Sequence, residues 1–228
     1  MARSNIRATI AGIGDTKGMT AKTDRTTLRR LPDRGDHNRE TINAVLDAGL
    51  VCHIAFLHEE RPAIIPTGYA RIGDYLYLHG SRKNRALLAT IGADCCVEVT
   101  LLDGIVLARS AFHHSFNYRS VVVYGRGEEV TDAAEKEQAL ERFVDQVTPG
   151  RAADCRLPNE KELRATLVIK VPLDEASAKI RSGPPKDDEE DMALPHWAGV
   201  MPVRDAWGPA EPDTEIALPE YLKDFQRS

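Results

Sequence analysis

The sequence YLYLHGSRKNR, residues 75–85, joins an alternating strand to a polar, cationic corner and the start of a helix. Its two tyrosines and His79 fall on one face of the strand and its two leucines on the other. This is the period of two that a half-buried strand requires. A glycine and a serine then allow the backbone to turn. A short helix is predicted to follow over residues 84–91.

The corner after this strand has the composition of a phosphate site. Ser81 offers a hydroxyl, Arg82 and Lys83 are cations with Arg85 after them, and Asn84 stands where the helix begins. The free N–H groups of a helix N-terminus favour anions, as nearby cations do. The Walker motif GxxxxGK[ST] is absent from the sequence. A basic turn that binds no ligand is the alternative interpretation.

The composition predicts a water-soluble protein with one domain and extensions. Of the 228 residues, 42% are hydrophobic and 29% are charged, and no apolar run has the length of a membrane span. The first part of the chain lacks the apolar segment of a secretory signal. The net charge of −5 argues against a nucleic-acid partner, because phosphate neutralisation needs clustered cations. The four cysteines show no CxxC spacing, which indicates free thiols in a reducing cytoplasm.

The chain is predicted to consist of three parts. A flexible N-terminal arm covers residues 1–30, a folded domain covers residues 31–182, and a charged, proline-rich extension covers residues 183–228. At the start of the domain, Asp36 is expected to cap a helix over residues 38–48.

Short strands dominate the domain, and a helix over residues 131–147 precedes the last of them. The run at 51–57 is apolar and is expected to be buried on both faces, and Asp103-Gly104 is expected to form a hairpin turn. Strands joined by two-residue turns indicate an antiparallel meander or barrel. The predicted strands lie at residues 51–57, 62–71, 75–79, 94–102, 105–110, 118–130 and 165–171.

Histidines and strand glycines are the remaining candidates for chemistry. His79 ends the central strand beside the cationic corner, where it is a ligand contact, a proton donor or a structural histidine. His113 and His114 are adjacent, but no third ligand stands at the spacing that a catalytic zinc needs, so no metal is predicted. Gly125 and Gly127 lie inside a strand, where glycine marks a bulge or a close backbone approach rather than a dinucleotide motif.

Four motifs in a fixed order after a leading helix carry a family resemblance. They are IPTGY at residues 65–69, YLHGSRKN at 77–84, DGIVLARS at 103–110 and YRSVVVYG at 118–125. In this order they resemble the pyridoxamine 5′-phosphate oxidase-like family of flavin-binding split barrels. The branch that they resemble most contains the nitroimidazole-resistance reductases. The resemblance covers residues 30–182.

The resemblance implies a mainly β protein with flanking helices, built as a six-stranded antiparallel split β-barrel. It also implies a homodimer that binds FMN in two equivalent clefts between the subunits. By this analogy the segment 81–84 holds the phosphate, the backbone of 67–69 runs along the flavin ring, and the strand that contains 119–120 reaches in from the partner. The implied cofactor-binding residues are Thr67, Gly68, Tyr69, Leu78, His79, Ser81, Arg82, Lys83, Asn84, Arg119 and Ser120.

The expected function is an FMN-dependent oxidoreductase that reduces a small organic acceptor such as a nitro-aromatic compound or a quinone. His79 is the expected catalytic residue, because it matches the histidine that lies beside the flavin in the nitroimidazole branch. Trp197 and Arg204 lie beyond a charged linker, so vitamin B6 oxidation is not expected. A flavin carrier without turnover is one alternative, and haem binding or degradation with His113 or His114 on the iron is another. FAD or a deazaflavin are the alternatives to FMN.

Overall fold

The computed structural model describes residues 18–223 and residue 225. Residues 1–17 of the predicted arm, and Asp224 with residues 226–228 of the predicted extension, lie outside this range. The helices are α1 (Arg39–Ala48), α2 (Arg85–Thr90), α3 (Ala133–Val147), α4 (Glu160–Ala165) and α5 (Glu220–Lys223). The strands are β1 (Gly35–Asp36), β2 (Val51–His58), β3 (Arg61–Gly68), β4 (Ala70–Ile72), β5 (Tyr75–Ser81), β6 (Asp94–Leu107), β7 (Ser115–Arg126), β8 (Glu128–Glu129), β9 (Thr166–Pro172), β10 (Glu175–Arg181) and β11 (Gly199–Pro202).

The strands form two antiparallel sheets. The larger has the order β1-β10-β7-β6-β2-β3, with β11 added beside β6, and the smaller has the order β4-β5-β9-β8. The mainly β architecture with flanking helices is therefore confirmed, and the described residues contain strands beyond the six of the prediction. One addition is β10, which follows the strand predicted to be the last and pairs with β7 along its length.

One hydrophobic core joins the two sheets. Ile42 and Leu46 of α1 are fully buried, and they pack with Ile54 of β2 and Leu78 of β5 in the same cluster. Burying side chains of this size contributes about 1.5–3 kcal/mol each. A second, smaller cluster lies where α3 covers the small sheet, and it contains Tyr77, Val130, Ala139, Leu140 and Val168. This second cluster positions the candidate site described below.

Strand β2 is buried on one face only, so the prediction of burial on both faces is wrong. Its residues alternate, and Val51 and Leu57 on the outer face are 52% and 62% exposed. The hairpin to β3 is present as predicted, with Glu59 and Glu60 both at positive φ, the conformation of a type I′ turn. The apolar outer face belongs to the larger sheet and is not covered by the described residues.

The prediction of a hairpin at Asp103-Gly104 is also wrong. Strand β6 continues through these residues with a shift in register against β7. A Cβ at Gly104 would lie 3.1 Å from Val200 Cγ1 and 3.2 Å from the Met201 carbonyl oxygen, so this glycine permits the close approach of β11. The chain reverses later, through a 3-10 turn at Ala111–His113 that the Ser110 side chain caps.

Helix α1 is capped differently from the prediction. The cap is Asn38, whose side chain accepts the N–H of Glu40. Asp36 instead accepts the N–H of Asn38 at 2.7 Å and the hydroxyl of Thr41 at 2.6 Å. The aspartate therefore orders the turn before the helix, because it lies two residues before the position that a cap occupies.

The described parts of both extensions contact the domain. Thr20 donates its hydroxyl to the Ala176 carbonyl at 2.7 Å, and β11 pairs with the end of β6. Further along, the Tyr221 hydroxyl donates to the Asp154 carboxylate at 3.0 Å. None of the helices described is long and apolar enough to cross a membrane.

Candidate functional site

The cationic corner is ordered by its own side chains. Asn84 caps α2, and its side-chain oxygen accepts the N–H groups of Ala86 at 3.0 Å and Leu87 at 3.3 Å. The Ser81 hydroxyl oxygen accepts the Lys83 N–H at 3.2 Å. A Cβ at Gly80 would lie 2.9 Å from the Asn84 side-chain nitrogen, so this glycine lets the end of β5 approach the cap closely. These contacts join residues close together in sequence, which explains why the sequence predicted the turn and the helix that follows it.

The cations of the corner differ in their partners. The Arg82 guanidinium forms an ion pair with Glu129 of β8 at 2.9 Å. Lys83 and Arg85 are exposed, and within residues 18–223 neither has a carboxylate within 4.0 Å. The positive charges of Lys83 and Arg85, two and four residues after Ser81, are thus available to an anion, whereas Arg82 is already paired.

His79 lies under helix α3. Its ring packs edge-to-face on Phe143, with ring centroids 4.2 Å apart and an interplanar angle of 79°. Burial lowers the pKa of His79, so the ring is neutral at physiological pH. A narrow crevice lined by Tyr77, His79, Leu140 and Phe143 separates the strand from the helix. The neutral imidazole can donate or accept a hydrogen bond at this crevice.

Phe143 also joins His79 to the end of β3. A Cβ at Gly68 would lie 2.8 Å from Phe143 Cζ, so the phenyl ring covers the glycine directly. Strand β3 is at the edge of the larger sheet, and one side of its backbone is not paired with another described strand. Thr67 is half-buried at the same end. The structure therefore brings 67–68 and His79 together around one phenylalanine.

Two of the predicted cofactor-binding side chains belong to the core. Tyr69 and Leu78 are fully buried, and the Tyr69 hydroxyl donates to the Leu46 carbonyl at 2.5 Å. Any contact of these residues with a ligand would come from the backbone, which is the contact that the resemblance implies for 67–69. Their side chains hold α1 and the sheets together.

Arg119 and Ser120 lie on β7, in the larger sheet. The Arg119 guanidinium binds both oxygens of the Asp103 carboxylate, with Nη2 at 2.8 Å from Oδ1. The Ser120 hydroxyl donates to the Lys179 carbonyl at 3.3 Å. The corner follows β5 of the smaller sheet, so Arg119 and Ser120 lie in a different sheet from the strand that leads into it. Their implied role across a dimer stays a prediction.

Lys136 was missed in the sequence. It lies one turn before Ala139 and Leu140 on the inward stripe of α3, and it is only 9% exposed. Burial and, to a lesser extent, the positive charge of Arg82 lower the pKa of Lys136, whereas the negative charge of Glu129 raises it. Extending the 139, 140, 143 stripe backwards by one turn would have found it.

His113 and His114 have hydrogen-bond partners that the spacing of residues in the sequence did not reveal. His113 Nε2 lies 3.1 Å from Asp188 Oδ2, and Asp191 is close enough that the three ligand atoms lie within 4.8 Å of one another. His114 Nδ1 lies 3.0 Å from the Ser110 carbonyl oxygen. A carbonyl only accepts, so Nδ1 carries the proton and the exposed Nε2 keeps its lone pair in the neutral ring.

Comparison with known proteins identifies the family. The family model for pyridoxamine 5′-phosphate oxidase matches residues 38–180. The chain therefore belongs to the pyridoxamine 5′-phosphate oxidase-like family, and its two sheets are those of an antiparallel split barrel. A search of curated proteins finds no match.

Three solved structures are similar over most of the chain. The flavocytochrome Anf3 from Azotobacter vinelandii is 40% identical with a TM-score of 0.86, over 92% of this chain and 100% of that one. An FAD and haem binding protein from Mycobacterium smegmatis is 35% identical with a TM-score of 0.78, over 83% and 95%. A protein from Bacteroides thetaiotaomicron described as a 5-nitroimidazole antibiotic resistance protein is 22% identical with a TM-score of 0.54, over 64% and 86%. The last likeness concerns the fold alone.

Proposed function

We propose that this protein binds a flavin nucleotide through the corner at Ser81–Arg85 and acts in oxidation and reduction. The observation that supports this most directly is a pair of exposed cations without a carboxylate partner, Lys83 and Arg85, which directly follow the strand that carries His79. A phosphate is recognised by charge-assisted hydrogen bonds from such groups. The relatives described as a flavocytochrome and as an FAD and haem binding protein support the same ligand.

The residues around the corner fit the rest of a flavin. The open edge of β3 at Thr67–Gly68 offers backbone N–H and C=O groups to the polar edge of a ring system. Neutral His79 supplies a hydrogen-bonding group close to that edge, and Phe143 supplies an apolar face. A bound flavin would supply hydride and one-electron transfer. The chain's own residues bind and orient the cofactor and hold water away from it.

The proposal extends to the identity of the flavin nucleotide and of the acceptor that it reduces. The sequence motifs favour FMN, whereas the relative described as binding FAD, at 35% identity, favours FAD. Reduction of a small organic acceptor beside His79 is the proposed activity, and a carrier without turnover is its alternative. The proposed assembly is a homodimer in the cytoplasm, with the outer face of β2 and β3 between the subunits.

Haem binding is a second candidate because a specific histidine suits it. The Nδ1 of the exposed His114 is held by the Ser110 carbonyl oxygen, so Nε2 is the nitrogen that would bind iron. Many metal-ligating histidines have their other ring nitrogen held by a hydrogen bond in this way. Phe112, Phe116 and Trp197 are 87%, 54% and 68% exposed, and two of them flank the histidine in sequence. His113 is the weaker ligand candidate, because its Nε2 is engaged by Asp188.

Absorption spectroscopy of the purified protein tests both candidates. A flavin gives a yellow protein whose visible band bleaches on reduction, and mass spectrometry of the released cofactor distinguishes FMN from FAD. Haem gives a Soret band, and replacing His114 by alanine should remove it while His113→Ala leaves it. Recovery of the bleached flavin with a quinone or nitro-aromatic acceptor separates an oxidoreductase from a carrier. A protein that neither retains nor rebinds a flavin contradicts the first proposal.

A further inference from the structure

His113, Asp188 and Asp191 form a cluster of metal-binding side chains outside the proposed flavin site. Their ligand atoms lie within 4.8 Å of one another, and His113 Nε2 is 3.1 Å from Asp188 Oδ2. His113 ends the 3-10 turn Ala111–His113, whereas the aspartates come from a second 3-10 turn, Glu189–Asp191, and the residue before it. The cluster therefore joins the folded domain to the start of the C-terminal extension.

Hydrogen bonds outside the cluster hold both of these segments in place. The Asp187 carboxylate accepts the N–H groups of Arg109 at 2.8 Å and Ser110 at 3.3 Å, and it binds the Arg109 guanidinium at 3.0 Å. The Asp187 side chain is only 1% exposed. Ser110 also caps the turn that carries His113, because its hydroxyl oxygen accepts the N–H of Phe112 at 3.3 Å. The three ligands therefore stand on ordered backbone, which lowers the entropic cost of binding an ion.

The two carboxylates of the cluster have few other interactions. Asp188 stands at the N-cap of its turn, yet its side chain accepts no capping hydrogen bond. Among residues 18–223, its carboxylate has His113 as its one hydrogen-bond or ion-pair partner, and the half-buried Asp191 carboxylate has none. Two carboxylates this close repel each other, and one imidazolium balances one of the two charges at most. A divalent cation would balance both.

The donor atoms indicate which class of cation would bind. Imidazole nitrogen suits zinc and other divalent transition metals, and carboxylate oxygen also binds zinc, whereas magnesium and calcium prefer oxygen alone. Ligands about 2.1 Å from a tetrahedral zinc ion lie about 3.4 Å from one another. The His113–Asp188 distance of 3.1 Å is already close to this value, so the cluster needs only a small contraction to bind the ion.

We propose that His113, Asp188 and Asp191 bind a divalent transition metal ion of the zinc class. His113 would bind it through the lone pair of Nε2, and each aspartate through one carboxylate oxygen, which leaves a fourth position to water. The ion would fasten the extension to the domain across 75 residues of sequence. This site needs no flavin, so it stands or falls separately from the proposed function.

Zinc titration of the full-length protein tests the proposal. Protein without an affinity tag is treated with a chelator and titrated with ZnCl₂, and separately with MgCl₂, by isothermal calorimetry. The test variants are His113→Ala and Asp191→Asn, and the asparagine keeps the shape of the side chain while removing its charge. The matched controls are His196→Ala and Asp213→Asn, an exposed histidine and an exposed aspartate of the same extension.

Wild type should bind one equivalent of Zn²⁺ more tightly than Mg²⁺. Each test variant should bind Zn²⁺ about tenfold or more weakly, since it loses a direct ligand, whereas both controls should match wild type. Zinc should also raise the melting temperature of wild type and of the controls more than that of the test variants, because an ion that binds only the folded state stabilises it.

Three results would overturn the proposal. A wild-type protein that binds no Zn²⁺ would show that the cluster is only a hydrogen-bonded contact between two turns. Equal Zn²⁺ affinity of wild type and both test variants would place the ion elsewhere on the chain. Tighter binding of Mg²⁺ than of Zn²⁺ would contradict the class of cation that the imidazole implies.

Discussion

At the scale of single residues, the cations of the corner are not equivalent. Arg82 is already neutralised by Glu129, whereas Lys83 is exposed and has no carboxylate partner among the described residues. Lys83→Ala should therefore weaken flavin nucleotide affinity by about ten- to hundredfold, the scale of one charge-assisted contact. Fluorescence titration measures this, with Lys22→Ala as the control. Affinity equal to wild type would show that the phosphate lies elsewhere.

His79 gives a residue-scale prediction about pH. Burial lowers its pKa below the ordinary value of 6.5, so the unfolded chain takes up a proton before the folded one does. The stability that neutral His79 provides is present above pH 6.5 and is lost as the pH falls through the lowered pKa. The difference in unfolding free energy between wild type and His79→Phe should shrink over this window, measured by chemical denaturation. The remaining histidines cancel in the difference, and a flat difference would mean that His79 titrates normally.

At the scale of elements, the sequence predicted the features that depend on residues close together in the chain. The strand of 75–81, its glycine turn and the Asn84 cap depend on neighbours within a few residues, so their pattern is visible in the chain. Asp103-Gly104 has the usual hairpin composition, but β11 arrives from almost a hundred residues later and uses the glycine as a contact surface. No local pattern reports such an approach.

In the candidate site, too, features set by neighbouring residues could be predicted, and contacts between residues distant in sequence could not. The predicted phosphate corner is contiguous in sequence, so its composition is visible in the chain, whereas Phe143 reaches His79 and Gly68 only because α3 folds back across the small sheet. Asp188 reaches His113 across 75 residues of sequence, so no spacing could have shown the contact. The exposed outer face of β2 was not predicted, because an apolar run in the sequence does not show whether both faces of a strand are buried or only one.

Gly127 tests the interpretation that glycine at this position marks a close approach of two backbone segments. A Cβ there would lie 2.9 Å from the Thr90 carbonyl oxygen, at the point where the end of α2 meets the chain after β7. The obstacle is backbone, so it cannot rotate away, and Gly127→Ala should destabilise the protein by about 1–3 kcal/mol. Chemical denaturation measures this, and Gly208→Ala is the control because no atom lies within 4 Å of its added Cβ. Equal stability of the two variants would contradict the tight approach.

At the scale of the whole molecule, the outer face of the β2–β3 hairpin is the surface that a second copy of the chain would cover. The register places Leu57 opposite Pro62 and Ala55 opposite Ile64, so these apolar side chains share one face. Leu57 is 62% exposed and Ile64 is 63% exposed. An exposed apolar face of this kind is a candidate interface. The face ends at Gly68, beside the proposed flavin ring, so pairing of two chains there would also enclose the cofactor.

Ile64→Glu tests this arrangement because it places a charge at the centre of the face. Burying an unpaired carboxylate in an interface is costly, so we expect sedimentation equilibrium to show a dimeric wild type and a monomeric variant at the same concentration. Flavin affinity should fall with it, since the proposed cleft lies between the subunits. Ile216→Glu is the matched control, an isoleucine that is 78% exposed in the C-terminal extension, and it should leave both properties unchanged. A dimeric Ile64→Glu protein would place the interface on another face, and a monomer that binds flavin normally would show that each chain holds its cofactor alone.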